Sequence, residues 1–449
     1  MKKTEYINYF KGKKITIMGL GLLGRGIGVT KFLAECGAEL IVTDLKKEID
    51  LKKSLNKLDK FSNIKYVLGE HRIEDFANRD LVIKAAGVPF DSIFIEEAKK
   101  NNIPVEMDAS LFAKIAKGVY TIGVTGTRGK STVTHLLHEI ISNSSKRVFL
   151  GGNVKGLATL PLLKKVKAGD IVLMELDSWQ LQGFGDNKIS PNMALFTTFL
   201  PDHLNYYRGD LERYFSDKAN IYRYQKEGDV FLMRPEVSKF IKEKDEKNIK
   251  VKYFVAGKKM VPANWKIKLL GEHNLENIAL AFLASQKLGI SEAVAKKTIE
   301  KFIGVPGRLQ FIKEKRGVKF YNDTTATTPD GVIAAMDALQ DYKGKIILIG
   351  GGADKNLEYK EYSKIVPKYV KNFILFTGVA TEKIKKELSE NKKVSFIEVS
   401  NMKDAFKNAL VLAEKGDIVL LSPGAASFGI FKNEFDRGSQ FDKIVSALK

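Results

Sequence analysis

Short, strongly apolar segments alternate with longer amphipathic segments along the whole chain. The apolar segments are rich in β-branched residues; the clearest are KITIMG, ELIVTD, LVIKAAG, YTIGVTG, IVLMEL, ALFTTF, KIILIGG, NFILFTG and DIVLLSPG. Uninterrupted apolar runs are typical of strands buried on both faces of a parallel sheet, and the segments between them have helical length and periodicity. The sequence therefore predicts an α/β fold with mainly parallel strands.

Glycine-rich turns follow three of the predicted strands, at Gly19, Gly126 and Gly350. A strand, a glycine turn and a helix in succession place a helix N-terminus against a phosphate group. The chain has 449 residues, whereas a typical domain has about 150, so its length indicates two or three domains. A short basic stretch at Ala113–Lys117 and the segment Gly304–Gly307 mark two joins, so we predict three domains. The predicted domains span residues 1–114, 115–304 and 305–449.

Composition and charge narrow the class of protein. The chain is 44% hydrophobic and 28% charged, which is typical of a globular protein, and its net charge is +21. This charge suits an anionic partner, either nucleic acid, an acidic membrane surface or a phosphorylated small molecule. A single cysteine, Cys36, excludes an internal disulfide, and no stretch reaches the ~20 apolar residues of a membrane span. We expect a cytoplasmic protein without membrane insertion.

The first glycine turn has the pattern of a nucleotide-binding βαβ unit. GLGLLG follows the strand KITIM, and Asp44 ends the next strand, twenty residues after Gly24. The glycines would let backbone amides approach a diphosphate, and Asp44 would accept hydrogen bonds from a ribose or a base edge. The alternative is an aspartate that only caps a turn. This pattern does not distinguish NAD from another nucleotide.

The second glycine turn, GVTGTRGKST, resembles a phosphate-binding loop, although Val124 occupies the first glycine position of the motif. Its backbone amides would surround the phosphates, Lys130 would neutralise the β and γ oxygens, and the Ser131 hydroxyl would reach Mg²⁺. The other residues of the loop that we expect to contact ATP are Gly126, Thr127, Gly129 and Thr132.

Acidic and histidine side chains follow the neighbouring predicted strands. Glu175 comes directly after the run IVLM and is the expected metal ligand, the alternative being a solvated glutamate at a strand end. Asp202 and His203 follow ALFTTF and are candidates for metal binding or base chemistry. His135 and His138 are expected to be packing or surface residues of the helix after the loop.

These motifs, together with Tyr214-x-x-x-Lys218 and GEHNLENIALA, resemble the Mur ligase family over essentially the whole chain. The resemblance implies a Rossmann-like N-terminal domain, a central P-loop ATPase domain with a mainly parallel sheet, and a Rossmann-like C-terminal domain. It also implies an ATP-dependent acid–amino-acid ligase, in which ATP phosphorylates a carboxylate and an amine then displaces phosphate. Two Mg²⁺ ions are implied, with ligands Ser131, Glu175, His203 and a carbamylated Lys218.

The resemblance assigns expected roles to further residues. The catalytic residues would be Lys130, Asp202, His203 and Lys218. Beyond the loop, ATP would contact Asn274, Asn277, Arg308 and Asp323. Within the family, the first unit and the ending SPGAASFGIFKNEFDRGSQF are most similar to members that add D-glutamate to UDP-N-acetylmuramoyl-L-alanine in peptidoglycan synthesis.

This comparison also implies two substrate sites. The UDP-linked substrate would contact Gly21, Leu22, Asp44 and Asn153. The amino acid would contact Thr327, Lys355 and Ser427. Lysine is a reasonable choice there because a glutamate carries two carboxylates that need cationic partners.

Three positions depart from the family pattern. Thr325 replaces the usual lysine, Ala85-Ala86-Gly87 stands in place of S-P-G, and Arg128 occupies a position commonly held by asparagine. None of them is an expected catalytic residue, so they bear on substrate detail.

Other functions remain as alternatives. A related Mur-type ligase could use L-glutamate or another acceptor. A nucleotide-binding regulator or RNA-associated factor would exploit the positive charge, but the lysines are scattered and RNP-like strands are absent from the sequence. An NAD-dependent dehydrogenase would leave the phosphate loop and Glu175 without a role. We expect a monomer that binds no nucleic acid.

Overall fold

The apolar segments of the sequence form three sheets in a computed structural model. The structure describes residues 3–22, 24–89, 91–154, 156–202, 204–355, 357–389 and 394–448. The chain forms two compact units, one comprising Met1–Trp265 and Glu276–Ile299 and the other Lys266–Leu275 and Glu300–Lys449. Among the described residues, no helix is long and apolar enough to cross a membrane.

The first sheet belongs to the first unit and has five parallel strands. Its strands are β1 (Lys14–Met18), β2 (Glu39–Asp44), β3 (Ile64–Leu68), β4 (Leu81–Lys84) and β5 (Val105–Glu106). Their order is β3-β2-β1-β4-β5, so the direction of winding reverses beside β1, where parallel sheets open a crevice. The helices of this region are α1 (Lys3–Phe10), α2 (Arg25–Glu35), α3 (Glu48–Leu55), α4 (Ile93–Lys100) and α5 (Asp108–Ile115).

The second sheet, also in the first unit, has six parallel strands. They are β6 (Tyr120–Thr125), β7 (Val148–Gly152), β8 (Ile171–Glu175), β9 (Met193–Phe196), β10 (Val230–Met233) and β11 (Lys252–Val255). Their order is β11-β10-β9-β6-β8-β7, and β6 lies at the reversal point. The helices are α6 (Lys130–Ser142), α7 (Ser178–Asp186), α8 (Leu204–Tyr207), α9 (Leu211–Ala219), α10 (Pro235–Lys244), α11 (Glu272–Lys287) and α12 (Glu292–Lys301).

The third sheet forms the second unit. Its strands are β12 (Gln310–Lys315), β13 (Val318–Asn322), β14 (Ile346–Gly351), β15 (Val370–Phe376), β16 (Phe396–Val399) and β17 (Ile418–Leu421), in the order β12-β13-β17-β14-β15-β16. Only the pairing of β12 with β13 is antiparallel, and Arg316 and Gly317 join them with positive φ angles, as a tight hairpin requires. The helices are α13 (Pro329–Ala338), α14 (Lys360–Ile365), α15 (Val379–Ser389), α16 (Met402–Leu412) and α17 (Glu434–Ser446).

The prediction of an α/β fold with mainly parallel strands is confirmed. Every apolar segment used for that prediction contains a strand, and β8 and β14 are buried along their whole length. Burial on both faces explains why these strands lack the alternation of a half-exposed strand. The shorter or more polar strands, such as β5 and the edge strand β16, did not stand out in the sequence.

Candidate active site

The phosphate-loop sequence forms the turn between β6 and α6. Gly126 has φ +143° and Gly129 has φ +85°, conformations that side-chain-bearing residues rarely adopt. Helix α6 begins at Lys130, so its free amide groups face the end of the loop. Ser131, one of the expected metal ligands, is buried in the first turn of this helix, and Thr132 follows it.

Two lysine amines meet at one carbonyl of this loop. Lys130 Nζ donates to the carbonyl oxygens of Gly126 and Thr127, at 2.8 and 3.1 Å, and Lys218 Nζ donates to the same Gly126 oxygen at 2.9 Å. Lys218 lies on α9 and is 1% exposed. Burial, and secondly the charge of Lys130, hold the pKa of the Lys218 amine well below its ordinary value. The structure thus brings together two predicted catalytic lysines.

Tyr214 connects Lys218 to the loop. It lies one helical turn before Lys218 on α9, and the Lys218 ammonium nitrogen is 4.8 Å from the centre of its ring. The Tyr214 hydroxyl is 3.2 Å from Thr127 Oγ1, which also donates to the Leu200 carbonyl. Asp202 is close enough to Lys218 for its charge to oppose the lowering of the lysine pKa. His203 lies outside the described residues.

Glu175 ends β8, beside the strand that leads into the phosphate loop. The register pairs Val124 with Glu175, so the carboxylate lies at the edge of the sheet from which the loop begins. Glu175 is 5% exposed, and carboxylate oxygens are among the ligands that Mg²⁺ prefers. Within the described residues, no group of three or more His, Cys, Asp and Glu side chains could by itself hold a metal ion.

The two predicted adenine-side asparagines lie at the start of α11. Asn277 is buried, and a Cβ atom on Gly129 would lie 2.4 Å from its Oδ1, so the amide lies directly against the phosphate loop. Asn274 is also largely buried, and its side chain donates to the Leu270 carbonyl at 2.7 Å. The departure at Arg128 leaves the loop intact, because the Arg128 backbone amide bonds to Thr198 Oγ1.

The glycine turn after β1 lies between two cavities of the first unit. One, of about 340 Å³, is lined by Gly21, Leu22 and Asn153 among others. The second, of about 560 Å³, is lined by Asp44. Ala85 lines both, and its Cβ would meet a Cβ on Gly19 at 2.8 Å. The predicted UDP-side residues therefore line two cavities that share Gly19, Ala85 and Gly87 in their walls.

Asp44 itself holds the turn. Its Oδ2 accepts from the Gly21 amide and its Oδ1 from the Lys46 amide, both at 2.9 Å. The turn-capping interpretation is thus part of its role in this structure. Each carboxylate oxygen retains a lone pair for a ligand.

In the second unit, Asp323 follows β13 and is buried. Its Oδ2 accepts from Ser422 Oγ at 2.7 Å and its Oδ1 from the Leu309 amide at 2.9 Å. Burial raises the pKa of Asp323 to about 7, although both hydrogen bonds and the charge of Arg308 act in the opposite direction. The structure therefore brings Arg308 and Asp323 together.

The predicted amino-acid residues lie on three loops of the third sheet that contact one another. Lys355 Nζ donates to Thr327 Oγ1 at 2.9 Å, and the backbones of Ala353 and Ala426 form an isolated bridge. This bridge brings the Lys355 loop to the loop of Ser427, which is buried. Thr325, at the unusual position, donates its hydroxyl to the Gly307 carbonyl at 2.9 Å.

Several residues of these sites were missed from the sequence. Arg437 is completely buried and donates to Thr324 Oγ1 and to the carbonyls of Thr324 and Ala425, so it joins two of the three loops. Arg25 and Lys84 line the 340 Å³ cavity. The sequence offered one signal for each of these two: Arg25 directly follows a glycine turn, and Lys84 ends an apolar strand.

The site and the three sheets define a nucleotide-dependent ligase of a known family. The Mur ligase MurD-like N-terminal domain matches residues 13–106, the Mur ligase middle domain matches 124–261, and the Mur ligase glutamate ligase domain matches 307–424. The chain belongs to the Mur ligase family.

Individual relatives are similar over nearly the whole chain. Two of them are named UDP-N-acetylmuramoylalanine--D-glutamate ligase. The relative from Roseiflexus sp. (strain RS-1) is 34% identical and covers 97% of this chain and 99% of its own length. The relative from Borreliella afzelii (strain PKo) is 35% identical, with 98% and 99% covered. Among solved structures, MurF ligase from Thermotoga maritima in complex with ADP has a TM-score of 0.59 at 18% identity, covering 98% of this chain and 96% of that one.

Proposed function

We propose that this chain is an ATP-dependent ligase that joins D-glutamate to UDP-N-acetylmuramoyl-L-alanine in peptidoglycan precursor synthesis. We further propose that it acts in the cytoplasm as a monomer with the three domains predicted above, residues 1–114, 115–304 and 305–449. The observation that carries the proposal is the meeting of Lys130 and Lys218 at the Gly126 carbonyl, in a chain similar throughout to relatives with that name.

The reaction requires activation because a free carboxylate does not acylate an amine near neutral pH. Transfer of the γ-phosphoryl group of ATP to the alanine carboxylate gives an acyl phosphate and ADP. The amine of D-glutamate then attacks the acyl carbon, phosphate leaves, and one proton is released from the nitrogen. Asp202 and His203 are proposed to take up that proton.

The phosphate loop would bind ATP through its backbone amides and the N-terminus of α6. Lys130 would leave its contacts with the loop carbonyls to neutralise the β and γ oxygens. Asn277, against Gly129, would contact the adenine side together with Asn274, while Arg308 and Asp323 would contact ATP from the second unit.

Two Mg²⁺ ions are proposed, and the donor chemistry at the loop suits them. Ser131 and Glu175 provide buried oxygen atoms, and few protein ligands are needed because Mg²⁺ keeps water and phosphate oxygens in its shell. Bound there, the ions would neutralise charge on the transferred phosphoryl group. Ser131, Glu175, His203 and carbamylated Lys218 would hold them.

Carbamylation of Lys218 is supported by its surroundings. A lysine reacts with CO₂ only as the neutral amine, and burial together with Lys130 favours that form. The reaction forms an N–C bond and releases one proton, leaving an N–H group that preserves the bond to Gly126. The product carries an anionic oxygen pair, which is a suitable ligand for a hard cation.

Two substrate sites are proposed. Gly21, Leu22, Asp44 and Asn153 would bind the UDP-linked acceptor. Thr327, Lys355 and Ser427 would bind D-glutamate, with the Lys355 ammonium facing a carboxylate. Because Thr325 has a hydroxyl where the family usually has lysine, Lys355 is the main cation that we assign to this site.

The test is phosphate release from ATP and Mg²⁺ with UDP-N-acetylmuramoyl-L-alanine and either D-glutamate, L-glutamate or no amino acid. We expect release that requires the acceptor and prefers D-glutamate. Lys130→Ala should abolish release, whereas Lys146→Ala, an exposed lysine just beyond the other end of α6, should not. Preference for L-glutamate would keep the mechanism but overturn the stereochemistry. Phosphate release that neither substrate stimulates would contradict the proposed reaction.

A further inference from the structure

Arg25 stands at the first position of α2, directly after the glycine turn, and lines the 340 Å³ cavity. Its Nη2 donates to Oδ1 of Asn153 at 2.6 Å, across 128 positions of sequence. Asn153 follows the last residue of β7 and is one of the residues proposed to contact the diphosphate. The side chain therefore connects the first glycine turn to the second sheet at the wall of the proposed substrate pocket.

The hydrogen bonding of Arg25 is incomplete. Its Nε is buried, and within the described residues it has no hydrogen-bond partner. A guanidinium has five N–H donors, and leaving one buried without an acceptor has a free-energy cost. Burial raises the pKa of the Asp108 carboxyl and the charge of Arg25 acts in the opposite direction, so Arg25 has a structural role beside Asp108, but that role leaves the Nε–H group unused.

The cavity needs cations for an anionic ligand. Among the described residues that line it, the basic ones are Arg25 and Lys84, and the acidic ones are Asp108 and Asp177. Asp108 is buried and accepts the backbone amides of Thr159 and Leu160 at 2.7 Å each, while Asp177 caps α7 through the Gln180 amide. Both carboxylates therefore have structural partners, and Arg25 and Lys84 are the cations that the described part of the cavity wall offers to an anionic ligand.

Lys84 is less suited than Arg25 to donating two hydrogen bonds to one phosphate group. Its Nζ lies 3.5 Å from the Val88 carbonyl and 3.4 Å from Gln182 Oε1, deep at the end of β4, and it presents a single point charge. Arg25 instead lies beside the amide groups of a helix N-terminus, with a forked donor set that matches phosphate oxygens.

We infer that Arg25 binds the diphosphate of the UDP-linked acceptor and orients the Asn153 amide toward it. By donating to Oδ1, Arg25 leaves the Nδ2 group of Asn153 as the donor available to the same phosphate oxygens. This inference rests on the proposed function, because it names a further residue of the acceptor site. It assigns to Arg25 a substrate contact that the sequence comparison gave only to Gly21, Leu22, Asp44 and Asn153.

The test compares Arg25→Gln with Lys31→Gln, which removes the same charge from an exposed position on α2. Direct titration with UDP, UMP and uridine should give a Kd for UDP that rises about 10- to 100-fold in Arg25→Gln, with little change for uridine. Arg25→Lys should have an intermediate Kd for UDP, since it keeps the charge and loses the paired N–H donors of the guanidinium. The KM for the acceptor should rise in parallel, while the KM for ATP stays within about twofold.

The comparison of UDP with uridine separates this role from a structural one. Arg25→Gln should unfold at a lower temperature than the wild type, because it loses the bond to Asn153 and a positive charge near the buried Asp108, but a general loss of structure would weaken UDP and uridine binding equally. Equal losses of uridine and UDP affinity, or unchanged UDP affinity, would overturn the inference. If the wild type binds UDP but never releases phosphate in response to the acceptor, the proposed reaction is wrong. The UDP titration of Arg25→Gln would still test the role of Arg25 in that case.

Discussion

We predict that Gly126→Ala destabilises the phosphate loop by more than the free-energy cost of a positive φ angle, because the added methyl group would also clash with a neighbouring segment. A Cβ atom at Gly126 would lie 1.9 Å from Thr197 Oγ1 and 2.8 Å from the Thr198 amide nitrogen. These atoms belong to the segment directly after β9, whose pairing with β6 fixes its position. The loop and the neighbouring segment cannot both keep their places when a methyl group is added.

The magnitude follows from two contributions. A φ of +143° costs a side-chain-bearing residue about 1–3 kcal/mol. Moving Thr197 also breaks the hydrogen bond that its single hydroxyl proton shares between the carbonyls of Thr125 and Arg128, at about 1 kcal/mol. The total of about 2–4 kcal/mol would be relieved only when the loop leaves its phosphate-binding shape. ATP affinity should therefore fall by about 30-fold or more.

Urea unfolding and ATP titration measure the two effects. Gly228→Ala is the matched control, since Gly228 also has positive φ (+91°) but has nothing within 4 Å of its added Cβ; it should lose only the conformational part and bind ATP normally. Adding Thr197→Ala to Gly126→Ala should recover part of the loss, because the hydroxyl is the nearest atom. The steric reasoning is refuted if Gly126→Ala is no less stable than Gly228→Ala and binds ATP within twofold of the wild type.

Three further predictions concern charge at the sites. Lys218→Met should abolish ligation, and the wild type should lose activity in CO₂-depleted buffer and regain it with bicarbonate; activity indifferent to CO₂ would contradict the carbamate. Glu175→Gln should raise the Mg²⁺ concentration for half-maximal rate about tenfold or more, and an unchanged Mg²⁺ titration would remove Glu175 from the metal site. Burial raises the pKa of Asp323 to about 7, so between about pH 4 and pH 7 the folded state holds a proton that the unfolded state has lost. The free energy of unfolding should therefore fall as pH rises to 7 and then level off, and Asp323→Asn should lose this slope in urea titrations at several pH values.

The sequence predicted those parts of the site whose residues lie in one continuous stretch of the chain. The loop 123–132 combines a strand end, two glycines that adopt positive φ and a helix that begins at Lys130, and the local sequence pattern indicates all of these. The same holds for Asp44 and Glu175 at strand ends. Their identities as strand-end carboxylates followed from the apolar runs before them.

The parts that the sequence did not predict depend on strand order. Lys218 reaches the Gly126 carbonyl across 92 positions because the chain returns beside β6 after forming β9, and no local pattern encodes that return. On sequence alone Lys218 is an exposed helical lysine; only the family resemblance indicated otherwise. Lys84 was missed for a related reason, since Gln182 of α7 and the Val88 carbonyl cover it.

The arrangement of the two lysines carries a consequence for chemistry. Lys130 and Lys218 share the Gly126 oxygen as an acceptor, and two ammonium groups there would repel each other with little solvent to screen them. Loss of a proton from the buried Lys218 removes the repulsion, and the resulting neutral amine is the reactive form toward CO₂. Carbamylation would then replace the repulsion with attraction, because it places an anion beside the Lys130 cation. The features that make Lys218 an unfavourable buried cation are therefore the same features that would make it a readily formed anionic ligand.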